Sequence, residues 1–219
     1  MVTQGLLSQG LQLPLPLMVL LIGGIASPLI GLLWERAKIP RLREGWMFVV
    51  AAAALGSVYL LFEELKVAPD NIIVMKLWGQ RPPLGGCFEI DMLSIFMSGS
   101  IAFLGLLVSI YSISYMEKES RLTEFYTLVT FMLAGMTGIV MAGDFFTLFI
   151  FWELMGLSSY VLVAFSTQTA GYIDPLPHSI VMMALVLDGT VIAVGLAMVL
   201  NVYRHYKTID IRKLRRLKW

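Results

Sequence analysis

Six long apolar stretches, separated by short polar segments, dominate the pattern of this chain. They cover Leu17–Trp34, Trp46–Phe62, Met92–Met116, Leu122–Ala142, Phe145–Phe165 and Ser179–Tyr203. A helix that crosses the ~30 Å hydrocarbon core of a bilayer needs about 20 largely apolar residues, whereas a barrel strand needs about ten residues of alternating polarity. The stretches are continuous rather than alternating. The pattern therefore predicts an all-α, polytopic membrane protein with about six transmembrane helices.

The composition excludes several other classes of protein. Of the 219 residues, 58% are hydrophobic and 14% are charged, whereas soluble domains carry about 25% charged residues. The net charge of +1 provides no field for a polyanion, so no nucleic-acid partner is expected. The single cysteine, Cys87, excludes a disulfide framework and an iron–sulfur cluster. With no phosphate loop, metal-ligand cluster or nucleophile constellation in the sequence, we expect no metal, no cofactor and no catalysis by this chain alone.

Acidic residues inside the apolar stretches are the candidate functional groups. Glu153 is the ninth residue of the fifth stretch, and Asp188 is the tenth residue of the sixth. An ionised carboxylate at such a depth costs about 2.5–3.5 kcal/mol or more, so it marks an ion or proton path, or it stays protonated and hydrogen-bonds a neighbouring helix. We favour ion translocation for Glu153 and leave both interpretations open for Asp188. Asp144 begins the fifth stretch and is either a third ion-translocation residue or a favourable charge at that helix N-terminus.

Basic residues all lie outside the six stretches. A buried acid without a basic partner in its own chain stays protonated, contacts water or is paired by another subunit. The chain is therefore not expected to be a self-sufficient ion transporter. The long segment of residues 63–91 contains several prolines and glycines, which is typical of a turn-rich connector at the membrane surface.

The segment of residues 88–165 closely resembles the antiporter-like subunits of respiratory complex I, of Mrp-type cation/proton antiporters (their D subunit) and of membrane-bound hydrogenases. The resemblance rests on FEIDMLSIF, LLVSIYSISYM and EFYTLVTFMLAGMTGIVMAGDFFTLFIFWELMGLSSYVLVAF. It implies that residues 1–165 form the first five helices of such a subunit. It also implies that Glu153 is the ion-translocation residue that pairs with a lysine of the seventh helix, but this chain contains neither that helix nor the family's central lysines.

Residues 172–216 resemble a different subunit, the last helix and tail of the Mrp C subunit, which corresponds to the small three-helix subunit of complex I. The matching elements are YIDPLP before the sixth stretch and YRHYKTID after it. The resemblance implies a division into residues 1–165 and 166–219. It places a functional carboxylate of the small subunit at Val191, and Asp188 lies three residues earlier on the same helical face. Whether Asp188 substitutes for that carboxylate stays open.

The orientation in the membrane is unresolved by the charge pattern. Four basic residues in the segment 35–45 support an outside start, and seven in residues 204–219 support an inside end. These two orientations conflict, because a single short loop, residues 166–178, joins the fifth and sixth stretches. Either one of the two parts is inverted relative to the family it resembles, or one apolar stretch does not cross the membrane. The first stretch follows no basic segment and precedes Glu35 and Arg36, so we expect it to be a membrane helix rather than a cleaved signal peptide.

Two functions fit these observations. In the first, the chain is a plasma-membrane subunit of a complex I-like or Mrp-like assembly and takes part in proton or sodium translocation. Its partners would be the bilayer, antiporter-like subunits that supply lysines, and small Mrp-type or complex I-type subunits. In the second, it is a non-conducting structural connector between the antiporter and redox modules of such a complex. We favour the first.

Overall fold

Five helices and a short hairpin make up the part of the chain that the computed structural model describes, residues 13–37, 42–68, 71–78, 86–116, 121–169 and the single residue Gly195. In chain order these are α1 (Leu15–Ala37), α2 (Leu42–Val67), β1 (Ile73–Trp78), β2 (Gly86–Ile90), α3 (Met92–Tyr115), α4 (Leu122–Val140) and α5 (Phe145–Thr169). All five helices are long and apolar enough to cross a membrane. The all-α, polytopic prediction is confirmed. Apart from Gly195, the predicted sixth stretch Ser179–Tyr203 lies outside the described residues.

The helix bounds follow the apolar stretches closely, and α2 departs most. It begins four residues before the predicted Trp46 and ends five residues after the predicted Phe62. Long charged side chains account for the extension, because they can reach the headgroup region while their stems stay on the helix. At the end of α2, Lys66 Nζ lies 2.9 Å from the Glu63 carboxylate and 4.2 Å from the centre of the Phe62 ring.

Helix packing is closest between α4 and α5. A Cβ added at Gly138 would lie 2.2 Å from Phe151 Cγ, and one added at Gly135 would lie 2.7 Å from the Met155 backbone nitrogen. Small residues let membrane helices approach closely enough for backbone contact, which is how helices associate when lipid offers no hydrophobic drive. Around this pair, α1 packs on α2 and α4, and α2 packs on α3.

The connector between α2 and α3 is a structured element, which the sequence analysis did not predict. Antiparallel strands β1 and β2 pair Ile73 with Ile90 and Met75 with Phe88, and the register is irregular between Lys76 and Trp78. On β2, Gly86, Phe88 and Ile90 are buried, and the residues between them are half-buried. This alternation is the expected signature of a strand with one face against a core.

The hairpin is attached to the turn between α4 and α5. The Glu89 amide donates to the Met141 carbonyl, and the Gly143 amide donates to the Cys87 carbonyl, each at 2.9 Å. The Phe88 ring, fully buried, lies 5.8 Å from the Phe151 ring of α5. We call this end of the bundle the hairpin end. The opposite end, where α1 and α3 finish and α2 and α4 begin, is the far end.

Candidate functional site

Glu153 lies inside the fifth membrane helix, as the sequence predicted. It is the ninth residue of α5, about 12 Å along the axis from the first residue of the helix. The residue is half-buried, and its Oε2 atom is shielded from solvent. A carboxyl group with a shielded oxygen at this depth is one whose charge state is set by the surrounding protein.

The face of α5 that carries Glu153 is turned away from α4. Phe151 and Met155 pack against the glycines of α4, and Glu153, two residues from each, lies on the other side of the helix. Phe149 shares the face of Glu153, one turn earlier. A Cβ added at Gly195 would lie 2.2 Å from Phe149 Cζ, so Gly195 lies against α5 on this face.

Asp144 lies at the hairpin end and is 2% exposed. Its carboxylate accepts hydrogen bonds from the Thr147 amide at 2.8 Å, the Thr147 hydroxyl at 3.0 Å and the Cys87 amide at 2.5 Å. The first two bonds cap the N-terminus of α5, and the third joins α5 to β2. This geometry agrees with the alternative in which the Asp144 carboxylate stabilises the N-terminus of the fifth helix. Its part in ion translocation stays a prediction.

Asp188, the third candidate, lies outside the described residues, as does the aligned position Val191. The structure therefore brings Asp144 and Glu153 onto one helix, nine residues apart, without joining them in one cluster. Among the described residues, no group of three or more His, Cys, Asp or Glu side chains is placed to hold a metal ion.

Two buried polar side chains at the far end were missed by the sequence analysis. Glu44 lies in the first turn of α2, and Tyr126 lies in α4 with 2% of its surface exposed. The only sequence signal for Glu44 was its closeness to the predicted start of the second stretch at Trp46. Tyr126 falls inside an apolar stretch, where its hydroxyl was not distinguishable from those of lipid-facing tyrosines.

The described helices, the intramembrane carboxyl and the attached hairpin define a multi-pass membrane protein with a buried acidic residue. Its sequence matches two families. Residues 84–126 match the N-terminus of chain 5 of NADH-ubiquinone oxidoreductase (complex I), and residues 123–219 match NADH-ubiquinone/plastoquinone oxidoreductase chain 4L. The chain 4L match includes Glu153.

The curated relatives include a subunit of a quinone oxidoreductase and a subunit of a sodium/proton antiporter. The chloroplastic NAD(P)H-quinone oxidoreductase subunit 5 of Physcomitrium patens is 34% identical over 151 residues, which cover 64% of this chain and 21% of the relative. Na(+)/H(+) antiporter subunit A1 of Staphylococcus aureus is 32% identical over 127 residues, which cover 57% of this chain and 16% of the relative. The chain thus spans about a fifth or less of the length of these relatives.

Solved structures with a similar fold are membrane complexes. A chain of the membrane-bound sulfane sulfur reductase, an archaeal respiratory membrane complex, superimposes with a TM-score of 0.76 and 20% identity, covering 93% of this chain and 39% of its own. A chain of the Mrp complex from Dietzia sp. DQ12-45-1b gives a TM-score of 0.53 and 25% identity, covering 69% of this chain and 28% of its own. The resemblance to subunits of complex I and of Mrp-type antiporters is confirmed. The division into residues 1–165 and 166–219 stays a prediction.

Proposed function

We propose that this chain is a plasma-membrane subunit of a complex I-like or Mrp-like assembly and takes part in proton or sodium translocation. Glu153 is its ion-exchanging group. The observation that carries the proposal is the position of this carboxyl inside α5, with Oε2 shielded from solvent and on the face of α5 against which Gly195 lies. The two families that the chain matches, and relatives named as a quinone oxidoreductase and a sodium/proton antiporter, support the same class.

The mechanism is electrostatic. Burial makes ionisation of the Glu153 carboxyl costly, and a positive charge that approaches it lowers that cost. A lysine or a cation moving in a neighbouring subunit would thus make Glu153 release its proton, and retreat of that charge would make it take one up again. The partners in this proposal are antiporter-like subunits that supply the lysines and small subunits of the Mrp or complex I type.

Asp188 is proposed as the second protonatable group of the same site. It precedes Gly195 by seven residues, which is about two turns of a helix, so within the predicted sixth stretch the two residues share a face. Gly195 contacts Phe149, and Phe149 lies one turn from Glu153. A proton passed between two carboxyls on facing helices needs no covalent chemistry. Asp144 is kept as a proposed accessory residue at the hairpin end.

The test replaces Glu153 by Gln in the native assembly. Membrane vesicles with an energised complex should lose proton or sodium movement about tenfold or more, because Gln keeps the shape but cannot exchange a proton. The matched control is Glu64→Gln, which changes an exposed glutamate near the end of α2 and should leave transport unchanged. Native gel electrophoresis of both variants should show an intact complex. Normal transport in the Glu153→Gln assembly would refute the relay.

The alternative is a structural connector, and one observation favours it. Among the described helices, Arg43 and Lys66 lie near the two ends of α2 rather than in the middle of a membrane helix. If Glu153→Gln transports normally while deletion of the chain separates the remaining subunits, the connector becomes the better description.

A further inference from the structure

Two buried polar atoms at the far end of the bundle have incomplete hydrogen bonding. Both Glu44 Oε2 on α2 and Tyr126 Oη on α4 are shielded from solvent, and within the part of the chain that the structure describes neither has a hydrogen-bond partner of good geometry. Buried polar atoms are almost always satisfied by protein or by ordered water. Two such atoms close together therefore point to bound water.

The surroundings of the two atoms show that they belong to one cluster. The Ser112 side chain of α3 lies within hydrogen-bonding reach of the Tyr126 hydroxyl, although not in good geometry, and Glu44 and Arg43 of α2 lie near enough for their charges to act on it. Ser112 donates to the Ser109 carbonyl at 3.0 Å, so its hydrogen is committed and its oxygen is left to accept. Arg43 donates to the Thr123 hydroxyl at 3.4 Å. Helices α2, α3 and α4 thus all carry polar side chains near the Tyr126 hydroxyl.

The cluster is closed on the side of the membrane interior. One turn further along α4, the Thr130 hydroxyl donates to the Tyr126 carbonyl at 2.8 Å and lies 3.2 Å from Met47 Sδ. Met47 is 1% exposed, and Leu133 is 4% exposed, so the next layer is tightly packed and apolar. This layer separates the cluster from the middle of the bundle.

Other charged groups at the far end are arranged around the cluster rather than in it. The Glu124 carboxylate accepts from Arg121, which raises the pKa of that guanidinium, and both side chains are about half exposed. This pair is separate from Arg43, whose charge acts on the Tyr126 hydroxyl.

We propose that Glu44, Tyr126 and Ser112 form a proton-exchanging site at the far end of the bundle that holds bound water. A buried water molecule makes about three hydrogen bonds. The cluster offers a carboxyl oxygen, a phenol hydroxyl and a serine oxygen, which between them can donate to and accept from one water. The site is separate from Glu153, which lies on a different helix and on a face turned away from α4.

The test uses the purified full chain in lipid nanodiscs and pH-dependent infrared difference spectra of its protonated carboxyl groups. Glu44→Gln should remove one titrating carboxyl band, which identifies Glu44. Tyr126→Phe should shift the midpoint of that band, because the bound water that links the two side chains loses one of its hydrogen-bond partners. Tyr59→Phe is the control, since Tyr59 lies on the same helix as Glu44 and is 63% exposed. It should leave the midpoint unchanged.

Two further measurements keep the result decisive. Exchange into ¹⁸O-labelled water should shift a water band that Tyr126→Phe abolishes, and Glu153→Gln should leave both the Glu44 band and the water band in place. Circular dichroism establishes that each variant is folded, and Glu44→Asp replaces Glu44→Gln if the latter is not. The proposal is overturned if no titrating band belongs to residue 44, or if Tyr126→Phe behaves as Tyr59→Phe does. The two proposals can fail separately. If Glu153→Gln transports normally while the Glu44 band is still present, only the function proposed for Glu153 is refuted.

Discussion

The two ends of the helical bundle differ in how completely their buried polar groups are hydrogen-bonded. At the hairpin end, Asp144 accepts three hydrogen bonds, and Asp91 accepts from the Ser94 amide at 2.7 Å and from its hydroxyl at 2.8 Å. At the far end, Glu44 and Tyr126 each bury a polar atom without a partner among the described residues. A carboxylate surrounded by fixed donors serves the architecture, whereas one with a vacant hydrogen-bonding position can bind water and exchange a proton.

The largest effect that separates the ends should come from Phe88→Ala. Phe88 is fully buried and joins β2 to the Phe151 ring, so removing its ring should lower the free energy of unfolding by about 3–5 kcal/mol. Denaturant titration of the full chain in detergent micelles measures this loss. Val74→Ala, at a strand position that is 49% exposed, is the control and should cost less than about 1 kcal/mol. Equal losses in the two variants would mean that the hairpin is not anchored through Phe88.

A smaller loss is expected for Asp144→Ala. It leaves the amides of Cys87 and Thr147 without their acceptor, and an N-cap replacement costs about 0.5–2 kcal/mol before the lost link to β2 is added. We expect about 2–4 kcal/mol in the same titration. Asp144→Asn keeps one acceptor oxygen and should lose about half as much. If Asp144→Ala is as stable as the parent chain, the cap and link are not what hold the hairpin end together.

The smallest effect on stability should come from Tyr126→Phe. The Tyr126 hydroxyl makes no hydrogen bond of good geometry within the described residues, so its removal should change the free energy of unfolding by no more than about 0.5–1 kcal/mol, in either direction. The change should be close to that of Tyr59→Phe. A destabilisation as large as that of Asp144→Ala would show that Tyr126 is held by a strong direct hydrogen bond, and the contrast between the ends would disappear.

The sequence predicted those parts of the structure that depend on the average polarity of a long segment. Uninterrupted apolar runs placed all five described helices and put Glu153 inside α5, because desolvation of the backbone allows little else in a membrane. The hairpin was missed, since its register depends on pairs up to 17 positions apart and the bond between Cys87 and Asp144 joins residues 57 positions apart. Glu44 was missed because it precedes the predicted second stretch, and the shielding of its carboxyl oxygen depends on tertiary packing.

The direct contact of Gly138 with Phe151, about two helical turns from Asp144 and half a turn from Glu153, has a mechanical consequence. With no side chain between them, α4 and the first turns of α5 can slide past each other very little, and β2 is tied to both by hydrogen bonds and by the Phe88 ring. We therefore expect the hairpin and this part of α5 to move as one rigid unit. A force applied to the hairpin from outside the bilayer would then tilt α5 at Glu153. The segment that the sequence analysis interpreted as a turn-rich connector is in this way mechanically coupled to the buried carboxyl.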